Sequence, residues 1–238
     1  MKKVLILGAN SYIGNSFQKY IGENYNDQYE VHKVSLRGEA WKEDDWSGYD
    51  SILNVTGKAH ADIGILTEEQ KQEYYAVNCD LACEAAQKAV KDGVGQYIYL
   101  SSVIVYGDSS NGGGAIHITK DTKPAPSNFY GDSKWQAEQK LQVLFEELKE
   151  DDEKNNTALA IVRPPMIYGK NSKGNFKMLV KLADKVPVFP NVKNERSMLY
   201  VENLAEFLYL LIESQKSGVF LPQNASYVTT AQMVAAIA

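Results

Sequence analysis

The chain is 238 residues long, enough to bury a full core as one domain plus a small appendage. Its formal net charge is −5 with no basic block, which argues against nucleic acid or an anionic membrane as a partner. No apolar run approaches the ~20 residues needed to cross a bilayer, and the longest candidate, Leu204 to Ile212, is interrupted by Glu206.

The first element is a short apolar strand, Lys3 to Leu7, followed by Gly8-Ala-Asn-Ser-Tyr-Ile-Gly14 and a helix. A reading of Met-Lys-Lys-Val-Leu-Ile-Leu as an export signal fails, because the apolar core before Asn10 is only about six residues. Strand, glycine turn and helix is the context of a dinucleotide-binding loop. Gly8 permits the tight turn and Gly14 lets the helix sit close to the strand. Asn10, Ser11, Tyr12 and Ile13 lie between them, where helix-start N–H groups receive a pyrophosphate. Ser11 stands where the middle glycine of G-x-x-G-x-x-G would fall; it is small, and its hydroxyl can bond a phosphate.

A second strand, Glu30 to Leu36, should end beside the adenosine ribose. An acidic residue there binds the 2′-hydroxyl of NAD, but the chain offers Ser35 and Arg37, a pair better suited to the 2′-phosphate of NADP. The bland alternative is an Arg37 that points to solvent. Tyr49 to Gly57 reads as a third strand, with Thr56 and Gly57 at its carboxyl end. A long helix from about Thr67 to Asp92 follows, opened by Thr67 with Glu69 and Gln70 in the manner of a capped N-terminus. On it Cys79, Cys83, Ala86 and Val90 form a helical stripe, so packing explains the two cysteines. A disulfide would not form along one helical face, and three scattered histidines add no metal site. Free thiols suit a reducing cytoplasm.

Gln96 to Ser102 is a fourth strand ending in two serines, and Gly112 to Gly114 beyond it suggests a loop beside the site. The helix from Tyr130 to about Glu150 then places Tyr130 and Lys134 one turn apart on one face. Tyr29 and Lys33 repeat the Y-x-x-x-K spacing, but on a strand, where four residues span roughly 13 Å and the side chains cannot meet. Only the helical pair can act together. A free tyrosine titrates near ~10, and a neighbouring ammonium with a cationic nicotinamide favours the phenolate, making it a usable base for a sugar hydroxyl. A surface Tyr–Lys pair is the alternative reading of the motif taken alone. After a charged, solvated turn near residues 150 to 156, Ala158 to Val162 is a fifth strand entering Arg163-Pro-Pro165. Near the end, Thr229 to Gln232 has the form of a capping box. Alternating strands and helices predict an α/β fold, a Rossmann-type doubly wound parallel sheet, whose ligands bind at the carboxyl ends of the strands.

Together, Gly8-x-x-Ser11-x-x-Gly14, Ser101-Ser-x-x-Val-Tyr-Gly107, Tyr130-x-x-x-Lys134 and Arg163-Pro-Pro-x-x-Tyr-Gly169 resemble an extended short-chain dehydrogenase/reductase of the nucleotide-sugar epimerase/dehydratase family. Gly57-Lys-Ala-His60 and the run from Asn194 to Asn203 are similar to members that act on UDP-N-acetylhexosamines. The resemblance implies that Ser102 hydrogen-bonds the reacting sugar oxygen and that Tyr130 is the general base or acid. It implies that Lys134 binds the nicotinamide ribose and tunes the tyrosine. His60, Asn175 and Arg196 would contact substrate, the latter two at its diphosphate. The bland readings are a strand-end cap for Ser102, a helix cap for Asn175 and a solvated charge for Arg196. Residues 1–165 would form the dinucleotide domain, with later segments returning to the sheet. Residues 166–238 would be a small, apparently truncated nucleotide-sugar-binding part. The implied activity is C4 epimerisation of a nucleotide sugar with NAD or NADP, for polysaccharide synthesis in the cytoplasm, by a possible homodimer. One-way NADPH reduction of a 4-keto sugar and a catalytically silent dinucleotide sensor are the alternatives.

Overall fold

The computed structural model describes residues 1–59, 66–107, 117–151, 156–172, 175–183, 189–190 and 194–237. The order is β1 (Lys2–Leu7), α1 (Tyr12–Asn24), β2 (Tyr29–Val34), β3 (Ser51–Asn54), α2 (Glu68–Tyr75), α3 (Leu81–Lys91), β4 (Gln96–Leu100), α4 (Phe129–Asp151), β5 (Ala158–Val162), β6 (Met166–Tyr168), α5 (Asn175–Ala183), β7 (Met198–Tyr200), α6 (Val201–Ser214), β8 (Gly218–Phe220) and α7 (Thr230–Ile237). Six strands form one parallel sheet in the order β2-β1-β3-β4-β5-β8, and β6 pairs with β7 in a separate parallel pair.

Both faces of the large sheet are buried, as parallel strands joined by helical crossovers require. Leu5, Leu7, Ile52, Tyr97 and Tyr99 face α3 and α4, where Ala82, Ala85, Ala86, Ala89, Ala137 and Leu141 complete a core cluster. Val4, Ile6, Leu53, Ile98 and Ala160 face α1 and α6, against Phe17, Ile21, Leu204, Leu208 and Ile212. The alanines of α3 bring that helix close to the strands. The stripe assigned to packing is seated accordingly, with Cys79 and Ala86 fully buried and Cys83 and Val90 packed at the margin.

The expected single helix from Thr67 to Asp92 is interrupted. Thr67 does cap its start, exchanging hydrogen bonds with Gln70, but Ala76–Asp80 form a π-helical turn between α2 and α3. The extra residue in that turn allows buried Asn78 and Cys79 to face inward together. The expected third strand is trimmed to Ser51–Asn54, because Trp46 N bonds Asp92 Oδ2 and Tyr49 N bonds Trp46 O in the turn before it. Thr229 and Gln232 make the reciprocal bonds of the expected capping box. Among the described residues, no helix is long and apolar enough to cross a membrane.

Candidate active site

The carboxyl ends of β2, β1, β3 and β4 present Arg37, Gly8, Gly57 and Ser102 in that spatial order. Three strand spacings separate the first from the last, so a ligand touching both must be at least about 14 Å long. This is the shape of an elongated dinucleotide laid across the sheet, not of a compact substrate.

The β1 turn is built for close approach. Gly8 has φ +111°, and a Cβ there would meet Thr56 N and Oγ1 at 3.3 Å. A Cβ on Gly14 would come within 2.9 Å of Ile6 Cγ2, so only glycine lets α1 lie this near β1. Ser11, in extended backbone, caps α1 by accepting from Gly14 N at 3.3 Å. Its oxygen is therefore committed to the helix, and only its hydroxyl hydrogen is left for a phosphate. The amides of Tyr12 and Ile13 lie in the first turn, where helical N–H groups lack intrahelical acceptors. Asn10 is exposed in the turn. At the β2 end Arg37 and Ser35 are both exposed, and Arg37 N donates to Ser35 Oγ at 3.3 Å. A cradle that added Cβ atoms would fill, beside a helix start, fits a nicotinamide dinucleotide.

The other half of the site lies where α4 meets β4. Asn128 caps α4, its Oδ1 accepting from Gly131 N at 2.8 Å, which sets Tyr130 in the first helical turn. Gly131 then abuts the turn after β4, since a Cβ there would meet Ile104 O at 2.8 Å. That turn, Val103–Tyr106, is opened by Ser102, whose Oγ accepts from Ile104 N at 3.3 Å. The strand-end cap reading of Ser102 is thus correct as far as it goes, and the same side chain also hydrogen-bonds Tyr130. Burial pushes the Tyr130 phenol up to about 12, while the Ser102 bond pulls it down and nearby Tyr74 pushes it up. Tyr74 is tilted against it with ring centroids 6.5 Å apart.

Lys134 is 4% exposed. Its Nζ donates to Leu100 O at 2.9 Å and lies 4.6 Å over the Tyr99 ring. Burial pulls its ammonium down to about 8, and Glu138 opposes that fall. Burial therefore raises Tyr130, where motif spacing alone suggested a lowered value. A Cβ on Gly57 would sit 3.2 Å from Lys134 Nζ and 3.1 Å from Asn78 Oδ1, so this glycine opens the space above the lysine. The decoy pair is pulled apart, Tyr29 bonding Glu213 while Lys33 reaches Asn15 at 2.9 Å.

Arg196 is exposed and its backbone forms an isolated antiparallel bridge with Val228, ahead of α7. Asn175 is the first residue of α5. His60 and the Gly112–Gly114 run lie outside the described residues.

Two buried polar residues, Asn78 and Glu138, escaped the motif search. Asn78 accepts from Lys58 N at 2.8 Å and donates to Ser133 Oγ at 2.9 Å, tying the Gly57 turn to α4. Glu138 and Arg163 form a buried ion pair behind Lys134. The available signal was an acid on the apolar face of α4, beside Ala137 and Leu141. Arg163 falls at a strand end as expected, yet its guanidinium is buried and taken up by Glu138 and Tyr106.

A parallel doubly wound sheet with a glycine cradle at β1 and a Ser–Tyr–Lys cluster at β4 is a Rossmann-type short-chain dehydrogenase/reductase. The chain belongs to the NAD dependent epimerase/dehydratase family, whose profile matches residues 4–221. It is 31% identical over 195 residues to a UDP-glucose 4-epimerase of Vibrio cholerae, covering 79% of this chain and 56% of that protein. It is 26% identical over 229 residues to the N-acetyl-alpha-D-glucosaminyl-diphospho-ditrans,octacis-undecaprenol 4-epimerase of Escherichia coli O157:H7, covering 90% of this chain and 64% of that one. The chain therefore spans less than two thirds of both relatives. Among solved structures, a dTDP-4-dehydrorhamnose reductase from Bacillus anthracis in complex with NADP superposes with a TM-score of 0.76 at 22% identity, covering all of this chain and 80% of the other.

Proposed function

We propose that this chain inverts C4 of a sugar diphosphate, a UDP-hexose or UDP-N-acetylhexosamine, through a 4-keto intermediate with NAD or NADP, in the supply of sugars for cell-surface polysaccharide. The observation that carries the reading is the convergence of Ser102, Tyr130 and Lys134 beside the glycine cradle. Both named relatives are 4-epimerases of diphosphate-linked sugars, which supports the reaction and leaves the carrier open. Residues 1–165 are assigned to the dinucleotide and 166–238 to the sugar nucleotide.

In this reading Gly8, Asn10, Ser11, Tyr12, Ile13 and Gly14 hold the dinucleotide's diphosphate. Ser35 and Arg37 meet its adenosine ribose, and Thr56, Gly57 and Lys134 border its other half. When bound, the cofactor supplies a reversible hydride acceptor. Tyr130 takes the proton of the sugar 4-hydroxyl and later returns it, with Ser102 holding the oxygen in line. Lys134 stabilises the phenolate from below. Arg196 and Asn175 hold the substrate diphosphate, with His60 at its sugar side. The test is incubation of the purified protein with UDP-glucose or UDP-N-acetylglucosamine and added NAD, read by proton NMR of the C4 epimer. No epimer from either sugar, together with no bound dinucleotide, sinks the proposal.

A second reading, one-way reduction of a 4-keto sugar by NADPH, is favoured by Ser35 and Arg37 at the end of β2. An epimerase regenerates its cofactor in every cycle, whereas a reductase must exchange it. Dinucleotide that survives purification supports epimerisation; its ready loss, with NADPH consumed by a 4-keto sugar, supports reduction. For cofactor choice we expect NADP(H) to bind more tightly than NAD(H), and Arg37→Ala to erase the difference. Fluorescence titration of both cofactors decides it, and a clear NAD preference in the unmutated chain reverses the assignment.

Arg196→Ala is expected to remove a charge-assisted contact to the diphosphate worth about 1.5–3 kcal/mol, or roughly one to two decades of UDP affinity. Cofactor affinity should not change. Calorimetry with UDP checks this, and equal affinities with and without the arginine remove Arg196 from the substrate site.

A further inference from the structure

We propose that Glu138 is a positioning residue of the active site: paired with Arg163, it clamps the Ser101–Tyr106 turn onto α4 and places a fixed negative charge one helical turn from Lys134. The proposal rests on the assignment of Ser102, Tyr130 and Lys134 above, and adds a residue that touches none of the reacting atoms.

Glu138 is fully buried and Arg163 is 6% exposed. Arg163 Nε donates to both carboxylate oxygens, at 3.1 and 3.0 Å, and a terminal nitrogen also donates to Oε2. Ser101 Oγ donates to the same carboxylate at Oε1. The other arm of the guanidinium donates to the Tyr106 hydroxyl at 2.5 Å, and its carbon lies 5.1 Å from the Tyr106 ring and 5.6 Å from the Trp135 ring. The two ends of the turn that carries Ser102 are thus both tied to one ion pair, Ser101 through the carboxylate and Tyr106 through the guanidinium.

A buried ion pair is a poor device for stability alone, since an apolar replacement of like volume is often as stable. What it does here is geometric and electrostatic. Tyr130, Lys134 and Glu138 follow one another at four-residue steps along α4, so the serine turn and the Tyr–Lys pair are referenced to the same helix. The titratable groups around Lys134 are Tyr99 on β4, Tyr130 and Glu138 on α4, and Arg163 behind Glu138. From the β3 side it meets neutral Asn78 and Gly57, while Lys58 is turned towards Glu73. Glu138 is the anion that counters the fall imposed on Lys134 by burial.

The experiment compares the unmutated full chain with Glu138→Gln, Arg163→Met and Ser101→Ala. The first readout needs no catalysis. Hydrogen–deuterium exchange of residues 101–107 should rise at least tenfold in all three variants, while β1 keeps its protection. Unchanged exchange in Ser101→Ala, the mildest of them, overturns the clamp even if the ion-pair variants fail to fold. The second readout is the pH dependence of NAD(P)H affinity, which should weaken in the unmutated chain as Lys134 loses its proton near pH 8. Glu138→Gln removes the nearby anion and should move this midpoint down by about one unit, whereas Arg163→Met bares the anion and should move it up. A purely structural role would loosen both variants without opposite shifts, so parallel shifts, or none, overturn the charge assignment. A chain that binds no NAD(P)H at all refutes the functional reading and with it the charge assignment, and leaves the exchange experiment to decide the clamp.

Discussion

Tyr130→Phe is expected to lower turnover of a UDP-sugar by roughly 10²–10⁴-fold, the range for loss of a general acid–base group, while cofactor affinity changes little. The substitution deletes one oxygen and preserves the ring that packs against Tyr74. The deleted oxygen is the one that hydrogen-bonds Ser102, whereas the neighbouring phenols are placed differently: Tyr74 packs ring to ring with Tyr130, and Tyr99 lies beneath Lys134. Steady-state rates with matched fluorescence titrations of NAD(P)H measure both quantities. More than about a tenth of the unmutated rate removes Tyr130 from the proton-transfer role.

Gly131→Ala should also be damaging, against what helix propensity suggests. Alanine is favoured over glycine inside a helix by about 1 kcal/mol, and Gly131 lies within α4 with no positive φ to relieve. The added methyl, however, would sit 2.8 Å from Ile104 O, a backbone atom of the turn that holds Ser102. Overpacking of this kind costs about 1–3 kcal/mol, so the start of α4 must move off the turn and take Tyr130 with it. A displacement near 1 Å between reacting groups can cost about 10² in rate. We expect a lower melting temperature and turnover reduced by at least tenfold. A variant that melts higher and turns over normally would show that the turn yields without disturbing Tyr130.

What the sequence discloses is what is local. The fifth strand was legible to the residue because Ala158–Val162 is an uninterrupted apolar run closed by prolines. The helical Tyr–Lys pair was separable from its strand-borne copy because periodicity alone distinguishes them. What depended on partners far along the chain was hidden. Asn78 looks like an ordinary polar helix residue until Lys58 and Ser133 close on it. Glu138 is an acid on an apolar helical face with no partner named by its own helix until Arg163 arrives, 25 residues later. The β6–β7 pair was hidden in the same way: Met166–Tyr168 and Met198–Tyr200 are three residues each, too short to show a period, and they pair only across a long stretch of chain. The segment after β2 carried no periodic signal, because Trp41 and Trp46 are buried by stacking on each other, with centroids 5.7 Å apart.

The π-helical turn at Ala76–Asp80 gives one continuous rod two phases. Each α-helical residue advances about 100° around the axis, so the surplus residue offsets α2 from α3 by about that angle. On one side of the offset, the alanines of α3 lie flat on the sheet. On the other, Tyr74 leans on Tyr130, and the Tyr75 hydroxyl donates to Asp132 Oδ2 at 2.7 Å. Deleting a single residue from the turn would restore regular α geometry and swing both tyrosines about a quarter-turn away from α4, while leaving the alanine face where it is. The alignment of α4, which carries Tyr130 and Lys134, is thus recorded partly in the length of another helix, as a residue count, so substitution scans of this segment will miss what a one-residue deletion reveals.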